Sequence, residues 1–137
     1  QKSFLLDLYN KLNLDRELFN FSNDLTSYFA KANLAITRAG SSMLAELINV
    51  KIPFISVPLP SSADNHQLKN AIYYEKNQYS YLIEENNLDE KLLKLIKEIH
   101  KDRSLLTQMI AKQKLYSDDT VYANIDKEID KLLNEKY

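Results

Sequence analysis

Residues 53–58 read PFISVP, a short apolar run closed at each end by proline. Its hydrophobic character is continuous and does not alternate, which marks a strand buried on both faces. Such a strand lies inside a sheet that is covered above and below. What surrounds it agrees. Met43, Leu44, Leu47 and Ile48 recur at helical spacing up to Val50, behind a short apolar strand at Leu34–Thr37. After it come the loop PLPSSAD, stiffened by Pro58 and Pro60, a helix from about Asn65 to Lys76, and a short strand near Tyr81–Glu84. Strands joined by helices and not by hairpin turns form a parallel sheet with helices on both faces, so the fold class is α/β.

The flanking segments are read in the same way. Phe4, Leu5, Leu8 and Leu12 give a helix ending near Asn13, a short strand is expected at Glu17–Phe21, and Asn23 or Asp24 caps a helix carrying Leu25, Tyr28 and Phe29. Beyond residue 86 the pattern is amphipathic and helical, with helices expected at Leu88–Lys101, Ser104–Leu115 and Val121–Leu133. The domain reading is a parallel α/β part over about 1–86 and a helical tail over about 87–137. The chain starts at Gln1, directly in a helical pattern, which reads as a segment of a longer polypeptide.

Bulk properties remove several classes of function. With 18 basic and 19 acidic residues the net charge is -1, so no large single-sign field is available to hold nucleic acid or an anionic membrane surface. There is no cysteine, which excludes disulfides, thiolate metal sites and cysteine nucleophiles. No apolar run approaches the roughly 18 to 20 residues that span a bilayer. The expectation is a cytoplasmic protein with no metal site and no cofactor.

Parallel sheets bind ligands in the loops at the carboxyl ends of their strands. Two such loops stand out, Arg38–Ser42 and Leu59–Asp64. The first contains Gly40, the one glycine in a chain whose length would ordinarily carry about nine or ten. A glycine there permits a positive φ, and its missing Cβ lets a pyrophosphate approach the amides of Ser41, Ser42 and Met43 at the positive end of the helix dipole. The structural alternative is a tight strand-to-helix turn.

Glu46 lies four residues after Ser42 and five after Ser41, so neither serine closes a capping box with it, and its carboxylate is free to accept bonds from a ribose diol. In the second loop, Asp64, Asn65, His66, Gln67 and Asn70 crowd a loop-to-helix junction. Gln67 offers an amide donor and a carbonyl acceptor suited to sugar hydroxyls. Asp64 reads as an N-cap, His66 as a capping or ligand-orienting residue with a general base as the alternative, and His100 as a surface residue on a charged helix.

The run ANLAITRAGSSMLAELINVKIPFISVPLP followed by ADNHQLKNA resembles the C-terminal domain of the MurG family, the bacterial UDP-N-acetylglucosamine transferases that convert lipid I to lipid II in peptidoglycan synthesis. The family pattern R-[AS]-G-x-x-T-x-x-E, P-x-x-x-x-P, D-x-[HQ]-Q-x-x-N-A is matched at Arg38, Gly40, Glu46, Pro53, Pro58, Asp64, His66, Gln67, Asn70 and Ala71.

The resemblance implies a Rossmann-like fold, the C-terminal half of a two-domain GT-B glycosyltransferase with a helical C-terminal tail. It implies that Ser41, Ser42, Met43, Leu44, Ala45 and Glu46 wrap the nucleotide-sugar, that Glu46 holds the ribose, that Gln67 contacts the N-acetylglucosamine and that Ser22 meets uracil through its main chain. Arg38, Gly40, His66 and Asn70 complete the expected substrate-binding set. The acceptor lipid I, membrane contact on the cytoplasmic face of the inner membrane, and the catalytic base are expected in an N-terminal domain outside these residues, so the segment alone is expected not to turn over.

Two positions depart from the pattern. The phosphate-loop Thr is Met43, and the Gly before the second strand is Lys51. Two other readings stay open at this point: a different GT-B nucleotide-sugar enzyme, such as another glycosyltransferase or an epimerase, and a non-catalytic α/β ligand-binding module.

Overall fold

The computed structural model describes residues 2–116 together with 127 and 129. The chain divides into two compact units, Gln1–Lys31 and one that begins at Ala32. In the first, α1 (Lys2–Lys11) closes with Asn13 in the left-handed conformation at φ 48°, as Leu14 N donates to Tyr9 O and Asn13 N to Asn10 O. This is a Schellman ending. Asp24 caps α2 (Leu25–Phe29), its Oδ1 accepting from Ser27 N at 3.1 Å, and Phe19 stacks on Tyr28 with ring centroids 4.7 Å apart. The strand expected at Glu17–Phe21 does not form. A strand needs a neighbouring ladder for its backbone groups, and the described residues of this unit contain no other strand.

The second unit runs β1 (Ala35–Thr37), α3 (Ser41–Asn49), β2 (Phe54–Ser56), α4 (His66–Lys76), β3 (Tyr81–Leu82), α5 (Leu88–Lys101) and α6 (Ser104–Gln113), with 3-10 turns at Ala63–Asn65 and Glu85–Asn87. The sheet has the order β1-β2-β3. Both pairings are parallel, with Ile36 opposite Ile55 and Ser56 opposite Leu82. The tail helix expected at Val121–Leu133 lies outside the described residues apart from Lys127 and Ile129, which are helical.

The central strand is buried as its composition demands: residues 52–58 are buried without a break. Its alternate side chains serve different helices. Phe54 meets Tyr74 of α4 edge-on, centroids 5.8 Å apart. Ile55 points the other way, into a cluster with Ile83, Ile99 of α5 and Leu106 of α6. Leu88, Leu92 and Leu95 join that cluster at the three- and four-residue spacing of a helix face. Ser56, fully buried on the face of Phe54, has its hydroxyl satisfied by Tyr81 O at 3.0 Å.

Helix ends show how the chain manages with so little glycine. α3 and α4 also close in Schellman fashion: Ile52 N donates to Leu47 O and Lys51 N to Ile48 O, while Tyr79 N donates to Tyr74 O and Gln78 N to Glu75 O. The left-handed residues are Lys51 at φ 60° and Gln78 at φ 62°. Glycine would adopt these angles without steric cost. Lys51 recovers part of that cost by donating from Nζ to Gln113 O at 2.9 Å.

Gln113 is itself fully buried, and its Nε2 donates to Ile52 O at 3.0 Å and Tyr79 O at 2.8 Å. One amide therefore ties the end of α6 to the segments that lead into β2 and β3. Replacing it leaves buried carbonyls without donors and a void where the side chain stood. Gln113→Ala is expected to lower stability by about 2–4 kcal/mol in a urea melt. A loss below about 1 kcal/mol would show that the tie is dispensable.

Candidate functional site

At the carboxyl end of the sheet three loops meet, following Thr37, Ser56 and Leu82. Arg38 leaves β1 and crosses all of them: its Nη1 donates to Val57 O at 3.4 Å and to Glu85 Oε2 at 2.6 Å. The ion pair is about half exposed (49% and 43% for the two side chains), so it orders the loops more than it stabilises the fold. Sequence reasoning missed Glu85. The signal was available, because a three-stranded parallel sheet has three carboxyl-end loops, and a lone Arg at the first needs an acid from another.

Gly40 is the N-cap of α3, with φ -69° and ψ 134°. The expected use of a positive φ is thus overturned, since extended backbone of this kind is open to any residue. Packing does not require a glycine either, because a Cβ built on Gly40 would meet, among the described residues, nothing within 4 Å beyond its own chain neighbours. The missing side chain leaves open space above the start of a helix. No side chain caps α3, and its first returning bond is Leu44 N to Gly40 O at 3.1 Å. The amides of Ser41, Ser42 and Met43 therefore stand ahead of the helical ladder with no carbonyl among the described residues to take them, at the positive end of the dipole.

The serines are exposed and Met43 and Ala45 half-buried. Leu44 is fully buried and its amide is already bonded, which leaves it the task of anchoring α3 alongside Leu47 and Ile48. With Gly40 as cap, a capping box would need its acid at Met43. Glu46 lies in the second turn, exposed, and its carboxylate is bonded to no other described residue.

The second loop presents its polar residues through two left-handed backbone positions, with no bond from the N-cap side chain itself. Asp64 (φ 48°) and Asn65 (φ 53°) are both left-handed, and Asn65, not Asp64, occupies the N-cap position of α4, without a side-chain bond. The expected Asp64 cap is thereby corrected: the first-turn amide of Gln67 is taken by Ser62 Oγ at 3.4 Å, and the left-handed Asp64 makes no side-chain bond to the start of α4. Consecutive left-handed non-glycine residues cost on the order of 1 to 3 kcal/mol each. They deliver the start of α4 to the site.

His66 is exposed, its Nδ1 2.8 Å from Ala63 O. Gln67 Oε1 accepts from Leu59 N at 3.0 Å, which leaves its Nε2 free to donate. Asn70 Nδ2 donates to Ala39 O at 3.1 Å, reaching the residue just before Gly40. Beside this junction a groove of about 250 Å³ is lined by Pro58, Leu59, Asn65, Leu68, Glu84 and Glu85 among others.

The structure thus brings Arg38, Gly40, Ser41, Ser42, Met43, His66, Gln67 and Asn70 to one end of the second unit, with Glu46 one turn along α3. Ser22 belongs to the first unit, where its Oγ accepts from Asp24 N at 3.1 Å. His100 is exposed on α5, as its charged surroundings predict.

Known proteins are similar to this chain in sequence and in fold. Residues 1–131 match the glycosyltransferase family 28 C-terminal domain. A curated relative from Pelagibacter ubique, a UDP-N-acetylglucosamine--N-acetylmuramyl-(pentapeptide) pyrophosphoryl-undecaprenol N-acetylglucosamine transferase, is 37% identical over 130 residues, covering 93% of this chain and 36% of its own length. The Rickettsia prowazekii protein of the same description is 42% identical over 101 residues, covering 73% of this chain and 26% of its own length. The chain therefore spans about a third of these relatives or less. The crystal structure of Acinetobacter baumannii MurG superposes with a TM-score of 0.65 at 24% identity, over 81% of this chain and 33% of that one. That likeness is one of fold, and together with the parallel sheet it bears out the Rossmann-like, GT-B expectation. With its motifs, sheet and matched length in agreement, the chain belongs to glycosyltransferase family 28, as its C-terminal domain.

Proposed function

We propose that this end of the second unit binds UDP-N-acetylglucosamine, as the donor half of a transferase that moves N-acetylglucosamine onto lipid I to make lipid II. The observation that carries the reading is Gly40. It is the chain's one glycine, and neither backbone angle nor packing calls for it, yet it clears the approach to unpaired amides.

In this reading the diphosphate lies on the amides of Ser41, Ser42 and Met43. Their dipoles stabilise the negative charge that grows on the leaving UDP as the glycosidic bond breaks, with no reorganisation during the step. Glu46 stands roughly 7.5 Å further along the helix axis than Ser41, at 1.5 Å per residue, within reach of the ribose hydroxyls. Gln67 Nε2 points its free donors to the sugar. Arg38, already paired with Glu85, acts by holding the loops together. The names of the curated relatives supply the acceptor class. The acceptor, the catalytic base and contact with the cytoplasmic face of the inner membrane are assigned to parts outside these residues. Among the described residues no helix is long and apolar enough to cross a membrane.

Calorimetric titration with UDP-N-acetylglucosamine, UDP-glucose and UDP tests the reading. Binding is expected in the order given by shared contacts, with the N-acetyl sugar tightest. Equal and negligible binding of all three would reject it.

Substitution at Gly40 separates site from scaffold. For Gly40→Ala, a poorer N-cap residue and reduced unfolded-state entropy oppose each other, each worth a few tenths to about 1 kcal/mol, so stability should stay within about 0.5 kcal/mol. UDP affinity should nevertheless fall at least tenfold, as the methyl group occupies the space over the amides. Retained affinity with lost stability would make the glycine structural.

Glu46→Ala is expected to weaken UDP binding by about 2–4 kcal/mol, because charged acceptors contribute about 1.5–3 kcal/mol per bond and do not add fully. A urea melt of the same variant should move by less than about 1 kcal/mol, since the carboxylate lies beyond the first turn, where the dipole acts. Unchanged affinity would return Glu46 to a solvated helix face.

A further inference from the structure

Helix α4 touches the loops on both sides of the site through residues three apart on one face. Gln67 takes Leu59 N, in the loop after β2, and Asn70 gives its Nδ2 hydrogen to Ala39 O, in the loop after β1. Ala39 is fully buried and directly precedes Gly40, whose φ and ψ decide where the amides of α3 point. Arg38 ties the segment before it to Val57 O and Glu85, and Leu44 N bonds Gly40 O, but the Ala39 carbonyl itself is held by Asn70. No side chain caps α3, no described atom beyond the chain neighbours lies within 4 Å of a Cβ at Gly40, and the neighbouring Thr37 Oγ1 donates only locally, to Arg38 O at 3.1 Å. Asn70 itself is half-buried, with one of its two amide hydrogens engaged in this bond.

We propose that Asn70 is a positioning residue: by holding the Ala39 carbonyl it sets the orientation of the Gly40 turn, and so acts on the diphosphate end of the ligand and not on the sugar. The inference rests on the nucleotide-sugar reading of the site for its ligand, while the tether itself is a property of the ligand-free protein. An Asn contacting the sugar would affect UDP-N-acetylglucosamine and leave UDP alone. An Asn holding the turn affects both ligands by the same factor, because each depends on the same amides.

Gly40 offers a direct readout. Since the chain has one glycine, protein made with 15N-glycine gives a single amide resonance, from the turn in question. The 137-residue chain, Asn70→Ala and the isosteric Asn70→Asp, which lacks the donor, are compared for that resonance without ligand and for affinity toward UDP and UDP-N-acetylglucosamine. Both variants are expected to displace the resonance and to weaken the two ligands equally, by about tenfold for one lost hydrogen bond.

An unmoved resonance overturns the proposal, as does weakening confined to UDP-N-acetylglucosamine, or a displaced resonance with both affinities intact. Should Asn70→Ala give the random-coil glycine shift of an unfolded chain, Asn70→Asp decides alone. If the unsubstituted chain binds neither ligand, it is the nucleotide-sugar reading that fails. The Gly40 resonance then upholds the tether if it is displaced and overturns it if it is not.

Discussion

The rest of this structure depends on the burial of β2 on both faces. A strand with no solvent side must find a ladder on each edge and a helix on each face, and the chain supplies these in order. β1 and β3 flank it in parallel, α4 covers Phe54, and α5 with α6 covers Ile55. The parallel pairing requires crossovers, and crossovers place every loop from strand to helix at the same end. The gathering of Arg38, Gly40, Gln67, Asn70 and Glu85 is thus a consequence of PFISVP, although none of these residues belongs to it.

The distribution of backbone strain separates scaffold from site. Positive φ falls on Asn13, Lys51, Asp64, Asn65 and Gln78, while the glycine sits at φ -69°. A chain that tolerates lysine and glutamine at left-handed helix ends is under strong compositional pressure against glycine, or has found local compensation such as the Lys51 bond to Gln113 O. Retaining glycine where no angle demands it points to what lies outside the chain. The open space over Gly40 is informative because the strained positions elsewhere were left to other residues.

Much of this was legible beforehand. The strands at β1 and β2 and the helices α3 to α6 follow from periodicity, and the loop pair from the parallel topology. Misreadings share a physical origin. The strand expected at Glu17–Phe21 had propensity without a partner ladder. The positive φ expected of Gly40 and the capping role expected of Asp64 relied on what those residue types permit, whereas a backbone angle is set by the chain on either side. The bonds from Asn70 to Ala39, Arg38 to Glu85 and Gln113 to Ile52 span 31, 47 and 61 positions in sequence, and no periodic pattern reports a contact across such separations.

Because the polar grip on both loops comes from adjacent turns of α4, the two halves of the site cannot be redesigned independently. If the site holds a nucleotide-sugar as proposed, altering the segment from Asp64 to Asn70 to exchange the sugar would tilt or shift the helix head that also braces the Ala39 carbonyl, and the seat proposed for the diphosphate would move with it. On the proposed nucleotide-sugar reading, donor preference is more safely retuned at Glu84 in the loop after β3, which borders the groove, whereas its neighbour Glu85 is tied to Arg38 and so to the loop before Gly40.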